Sequence, residues 1–336
     1  MTSATNLFLQ IALAVLWLLA SGLLLARYLP DSSQFNSFGQ GAGLLFLALI
    51  IVVLWRAPPR AADLPNLTPG TMLGLGYRTM LGAILAALIA LFLLGIVFHP
   101  WLVLVIAFTL AAIGVIAKRR QSLSWRMIGL GLFIGALCLS LSGLSGRLDM
   151  FQAIHLACVP ILFVGGVLLT QESGLTLVYC VDGTWTEVAK GLLIGCVLAV
   201  PAAFLNISYG AHSGDAWIDQ PWEPIVALVP GFAEEIWARL FLLTAIYVLL
   251  RRRSNDRPTR VVLAAVFIAA AVHSLAHLPG HMVFSPAAVP MLLTALLYGV
   301  PMGLLFVKFG FEHAVGYHFF IDFVRFIAAL QASQLG

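Results

Sequence analysis

The sequence predicts an all-α, polytopic integral membrane protein of about eleven transmembrane helices. Three observations carry that expectation. Hydrophobic residues make up 61% of the 336 residues and charged ones only 10%, far from the balance of a soluble domain. Apolar runs of about 20 residues, the length that crosses a bilayer, recur between short polar or Pro/Gly-rich breaks. Lys and Arg collect in alternate breaks, as the positive-inside rule requires.

The first run, 6–28, lacks the basic n-region and small-residue cleavage site of a removable signal peptide and reads as a retained span. A short span at 39–55 follows, then 73–97 and 100–117, which meet at His99-Pro100 in a tight helical hairpin. Further spans are expected at 125–143, 152–170, 188–207, 223–250, 259–277, 286–308 and 311–330, the eighth being unusually long. Arg56 and Arg60, then Lys118, Arg119, Arg120 and Arg126, then Arg251, Arg252, Arg253, Arg257 and Arg260 all fall in even-numbered loops. Odd-numbered loops carry little beyond Arg27 and Arg147, and the stretch from Ser208 to Glu223 holds Asp215 and Asp219 with no Lys or Arg. The N-terminus is therefore expected in the cytoplasm and the C-terminus outside; a prokaryotic plasma membrane is the expected location, although loop charge does not fix the organism.

The polar stretch Gln171–Glu187 divides the chain into an N-terminal region, 1–187, with about six spans and no assigned activity, and a C-terminal domain, 188–336, with about five. The net charge of +4 is not gathered on one element. It suits cytoplasmic loops facing anionic lipid headgroups rather than nucleic acid. Cys138, Cys158, Cys180 and Cys196 lie in or beside apolar runs without C-x-x-C spacing, so disulfide and zinc-thiolate roles are not expected. Paired small residues at Gly131/Gly135, Gly191/Gly195 and Gly299/Gly303 suit close helix packing in lipid. Arg78, His99 and His155 stand singly in the first half and read as helix-end or packing residues.

Chemistry points to three later runs. Glu234, Glu235 and Arg239 place two carboxylates and a guanidinium inside an apolar helix, at a cost of about 2.5 to more than 10 kcal/mol per ionised group. Glu235 and Arg239 are i,i+4 and can pair, whereas Glu234 is rotated by about 100° and stays free to act on a water. A purely structural ion pair would explain Glu235 and Arg239 but leave Glu234 unpaired. His273 and His277 are i,i+4, a two-ligand metal spacing or one catalytic and one packing histidine. Pro279-Gly280 should end that helix before His281. His318 and Asp322 are i,i+4 on the last span, with His313 near its start at the membrane interface. G-x-S-x-G, Walker and H-E-x-x-H motifs are absent, as are the paired aspartates and the Ser/His arrangement of other intramembrane proteases.

These motifs, in this order, resemble the CAAX-protease and bacteriocin-processing (CPBP, or Abi) family of membrane proteins. E-E-x-x-x-R matches Glu234, Glu235 and Arg239; H-x-x-x-(N/D) matches His318 and Asp322; F-x-x-x-H matches at His277, but His273 stands where that motif has Phe. The resemblance covers about 188–331. It implies an endopeptidase acting on a membrane-associated protein or peptide. Glu234 and His277 would activate water, and His318 with Asp322 would stabilise the oxyanion, Asp322 by orienting His318. It leaves open a metal-free mechanism, with no cofactor, or a zinc site of Glu234, His277 and His318, with or without His273. A non-catalytic scaffold, sensor or immunity protein of the same family is the alternative, and a proton-coupled transporter a more distant one.

Overall fold

The computed structural model describes residues 100–208, 214–251 and 259–335. The spans expected at 6–28, 39–55 and 73–97 lie outside the described residues, as do the side chains of the basic residues before Lys118. Every described regular element is helical. Among the described residues, six helices are long and apolar enough to cross a membrane.

Helix α1 (Pro100–Lys118) is followed by a short 3-10 turn and α2 (Trp125–Leu144). The side chain of Ser124 caps α2 by accepting from the Met127 N–H at 3.2 Å. Asp149 caps α3 (Met150–Ser173) through the Gln152 N–H at 2.7 Å, and Gly174 closes α3 in the left-handed region at φ 60°. A one-turn helix, α4 (Tyr179–Asp182), leads to α5 (Trp185–Ser208).

The eighth span was expected as one α-helix over 223–250, and the structure divides it. A 3-10 turn over Glu223–Ala227, with Pro224 in its first turn, leads into α6 (Leu228–Glu235). The backbone then widens into a π-helix (Ile236–Leu243) before returning to α7 (Thr244–Leu250). Such π segments concentrate at functional sites because they re-aim side chains. Helix α8 (Thr259–Leu275) ends in three further backbone hydrogen bonds up to Leu278, just ahead of Pro279-Gly280 as expected. Helix α9 (Ala288–Thr294), a second π segment (Ala295–Gly299) and α10 (Val300–Phe309) form one apolar span, and α11 (Phe311–Leu335) completes the bundle.

Hydrophobicity cannot sort helix against lipid, so close packing must hold these helices together. The small residues show where it does. A Cβ added at Gly166 would meet Leu240 of the first π segment at 2.7 Å, and one at Gly165 would meet Ala112 of α1 at 2.6 Å. Gly195 of α5 and Gly316 of α11 lie against each other's helix backbone, His313 O and Leu192 O, with no room for a side chain. Gly131 and Gly135 face Pro160, and Gly303 faces Val266. The paired-glycine spacings therefore mark real contacts.

The loops sort to two ends. At one end Arg119 pairs with Glu172 at 2.6 Å, Arg126 donates to the carbonyls of Cys180 and Gly183, and Arg251 donates to that of Ser173. Beneath α11 this end is filled by the 174–184 segment: the Phe311 N–H reaches Leu177 O, and the buried Glu312 accepts from the Cys180 N–H at 2.7 Å. At the opposite end, Trp217 packs on Phe326 at 5.2 Å between ring centroids and under the Arg147 guanidinium at 4.9 Å, while Arg325 pairs with Asp215 at 2.9 Å.

Candidate active site

The helices α6, α8 and α11 bring all three sequence motifs into one polar circuit. The Arg239 guanidinium sits 3.0 Å from Glu235 Oε1, the expected i,i+4 pair, although Arg239 itself lies in the π segment. His318 Nδ1 lies 2.8 Å from the same Glu235 oxygen. Arg239 also donates to His273 Nδ1 at 3.0 Å, and His273 Nε2 is 2.8 Å from Glu234 Oε2. His318 Nε2, at 3.7 Å from Glu234 Oε2, closes the ring. His277 Nε2 stands 4.0 Å from that same Glu234 oxygen.

The two adjacent carboxylates thus have different surroundings. The Glu235 side chain is 0% exposed and Arg239 1%, whereas Glu234 is 16% and His277 47% exposed. Glu234 lines a cavity of about 490 Å³ with His273, His277, His318 and Asp322. The Arg239 head is held further by Gly299 O at 3.4 Å and Met302 Sδ at 3.3 Å. Gly299 leaves it that room: an added Cβ would come within 3.6 Å of the guanidinium and 2.9 Å of Ala270.

Hydrogen-bond chemistry places protons on two of the rings. Arginine is donor-only, so His273 Nδ1 must accept from it, and His273 Nε2 carries the proton given to Glu234. His277 Nδ1 lies 3.0 Å from the carbonyl oxygen of His273, which is acceptor-only, so that nitrogen carries a proton and Nε2 faces Glu234. Glu234, His273 and His277 place potential ligand atoms within 4.8 Å of one another, and His318 Nε2 is a fourth donor beside them.

Asp322 departs from the expectation that it orients His318 through the nitrogen facing away from the cavity. That nitrogen, Nδ1, is held by Glu235 instead. Asp322 Oδ2 sits 3.4 Å from Nε2, the nitrogen nearer Glu234. One turn of helix sets Asp322 below His318 on the cavity side, whereas Glu235 approaches from the neighbouring helix. His313, expected at the interface, is buried at 3% exposure between α5 and the end of α10.

Several site residues are missed by the sequence motifs, Arg325 despite its i,i+3 spacing from Asp322. Arg325 bridges Asp322, at 3.3 Å, to Asp215 of the 214–222 segment. Trp101, at the start of α1, stands edge-on to His277 at 4.8 Å and to Trp237 at 4.9 Å between centroids. Its indole N–H donates to buried His155 at 3.4 Å. A lone Trp and a lone His at helix starts look like interfacial residues, and only the packing of α1 against the π segment makes them a wall of the site.

No curated protein and no solved structure matches the chain. Residues 221–324, which contain the whole polar circuit, match the family described as type II CAAX prenyl endopeptidase, Rce1-like, and so agree with the CAAX-protease resemblance that the three motifs carry.

Proposed function

We propose that this protein is an intramembrane endopeptidase of the CAAX-protease type, with Glu234 as its general base. One observation supports the reading above others: of two adjacent carboxylates, the buried Glu235 is sealed against Arg239 and His318, while the half-buried Glu234 faces the cavity. A water at ordinary hydrogen-bond distance, about 2.8 Å, from both Glu234 Oε2 and His277 Nε2 fits their 4.0 Å separation. Glu234 takes its proton as the water oxygen bonds to the scissile carbonyl carbon. The carbonyl oxygen becomes the oxyanion, facing His318 Nε2, which donates to it when the ring, set between the Glu235 and Asp322 carboxylates, carries both protons. Glu234 then returns the proton to the leaving amide nitrogen as the C–N bond breaks. His273, as a donor to Glu234, holds the base in position, and Glu235 holds His318.

Zinc is the second reading, because Glu234, His277 and His318 are suitable donor types. His273 does not suit it: a metal-bound imidazole donates through its other nitrogen, and here that nitrogen accepts from Arg239. Ligand atoms on one tetrahedral zinc also lie about 3.3 Å apart, closer than the 3.7 and 4.0 Å found here. The spacing favours water, and the metal-free reading is preferred. The test is cleavage of quenched-fluorescence peptides in mixed micelles, with products identified by mass spectrometry. Wild type should turn over a subset without added metal. Glu234→Gln should not, and cleavage retained in that variant would remove the proposal.

A further inference from the structure

Among the described residues, the cavity lining reaches one end of the bundle, the end poorer in basic residues. Its rim is formed by Arg147, Gln152, Trp217 and Phe326, from the 2–3 connection, the start of α3, the 214–222 segment and the C-terminal half of α11. No described residue of the Lys118–Arg126, Gln171–Glu187 or Arg251–Arg260 stretches lines it. Below α11 the opposite end is blocked by the 174–184 segment through Leu177 O and the Cys180 N–H.

The depth of the polar groups agrees. At about 1.5 Å rise per residue, Glu234 lies about 9 Å from the start of α6 and about 24 Å from Leu250 at the other end of that span. His273 lies about 3 Å from the end of α8 and about 21 Å from its start at Thr259. The site is thus reached over a short distance from the cavity end and a long one from the basic end.

Charge tells the two ends apart. Lys118, Arg119, Arg120, Arg126, Lys190, Arg251, Arg260 and Lys308 all sit near the ends of helices at the blocked end. The cavity end holds Arg147 and Arg325, and Arg325 is neutralised by Asp215 and Asp322. Exposed Trp125 and Trp185 mark the blocked end as an interface, with Arg126 stacked on Trp185 at 5.6 Å. Lys and Arg in short loops are retained on the cytoplasmic side.

From this juxtaposition we infer that the active-site cavity opens to the non-cytoplasmic face of the membrane. Its substrate is a membrane-associated peptide segment exposed on that face, and not a cytoplasmic chain terminus. The substrate class rests on the protease reading; the direction of opening does not.

Cysteine accessibility in a bacterial host expressing the full chain tests it. Gln220→Cys on the cavity-end segment and Gln121→Cys at the basic end replace exposed residues, and the wild type supplies the blank for the native cysteines. A membrane-impermeant maleimide should label Gln220→Cys in intact cells and Gln121→Cys only in inside-out vesicles. Gln152→Cys, a half-buried position in the cavity wall, should react with a small charged thiosulfonate from the outside alone. The reverse pattern would overturn the inference and leave the protease reading standing. Labelling is independent of catalysis, so the same pattern in Glu234→Gln confirms that topology is being read, and failure to cleave any peptide would leave the orientation intact.

Discussion

The dry and wet sides of the polar circuit are built from neighbouring residues and obey opposite rules. On the dry side, Glu235 Oε1 holds both Arg239 and His318, with the carboxylate and guanidinium at 0% and 1% exposure. On the wet side, Glu234 and His277 approach no closer than 4.0 Å and both reach the cavity. An ion pair sealed in apolar surroundings tolerates no loss of either partner. A base needs a partner near enough to hold it and distant enough to leave a place for water. The comparison teaches that the E-E dipeptide is two devices, separated by the rotation of one residue along a helix.

The sharpest way to break that division is to neutralise each carboxylate in turn. Glu234→Gln should lower peptide cleavage by about 10³- to 10⁴-fold, the upper part of the range for general bases, with the unfolding midpoint in detergent unchanged. Arg239→Met should do the reverse first: leaving Glu235 buried without its guanidinium costs about 3–5 kcal/mol, read as a lower unfolding midpoint. If Glu234→Gln destabilises as much as Arg239→Met, the wet side is structural too, and the division fails.

The same division explains what was legible in the sequence. Ionisable groups in apolar runs are conspicuous because they are costly, so Glu234, Glu235, Arg239, His273, His277, His318 and Asp322 could all be found by type and spacing. Helices stand at all eight spans expected from residue 100 onward, because each run had to satisfy its backbone internally. The π widening after Glu235 was not legible, since apolar residues such as Phe241 and Leu242 accept either helix. Trp101 and Arg325 were missed for another reason. The contacts of Trp101 with His277 and of Arg325 with Asp215 span more than 100 positions and no local pattern encodes them, although a charged residue in an apolar run, i,i+3 from Asp322, was itself a signal for Arg325. The role of Asp322 was misread because i,i+4 spacing shows that two side chains can meet but not which ring nitrogen they share.

His273 lies between the two sides, donating to the base and accepting from the buried arginine. His273→Phe restores the residue that the family motif carries. It should lower cleavage by about tenfold, the value of one hydrogen bond of about 1.4 kcal/mol, while the protein stays folded. Metal content, measured by mass spectrometry on purified wild type and variant, separates the two roles. Stoichiometric zinc lost in His273→Phe would make His273 a ligand and reverse its assigned tautomer. Zinc lost only in His277→Ala would favour the second reading of the site while leaving His273 as a positioning residue.

The smallest expected effect concerns the rim, where Asp215 connects the 214–222 segment to Arg325. Burial pushes the Asp215 carboxyl above the ordinary aspartate value, against the opposing pull of Arg325. A carboxyl whose folded pKa is raised binds its proton more readily in the folded state than in the unfolded one. It therefore adds stability below the unfolded aspartate value of about 3.9, and that increment is lost as pH rises through the raised folded value. Asp215→Asn should remove this part of the pH dependence, so its unfolding midpoint should fall less than that of wild type between mildly acidic and neutral pH. Parallel curves for the two proteins would show that the rim pair is dominated by Arg325 and that burial of Asp215 has no energetic consequence. Glu235, Arg239 and His273 make none of their contacts through Asp215, so any effect of this substitution on cleavage passes through Arg325 and Asp322 to His318.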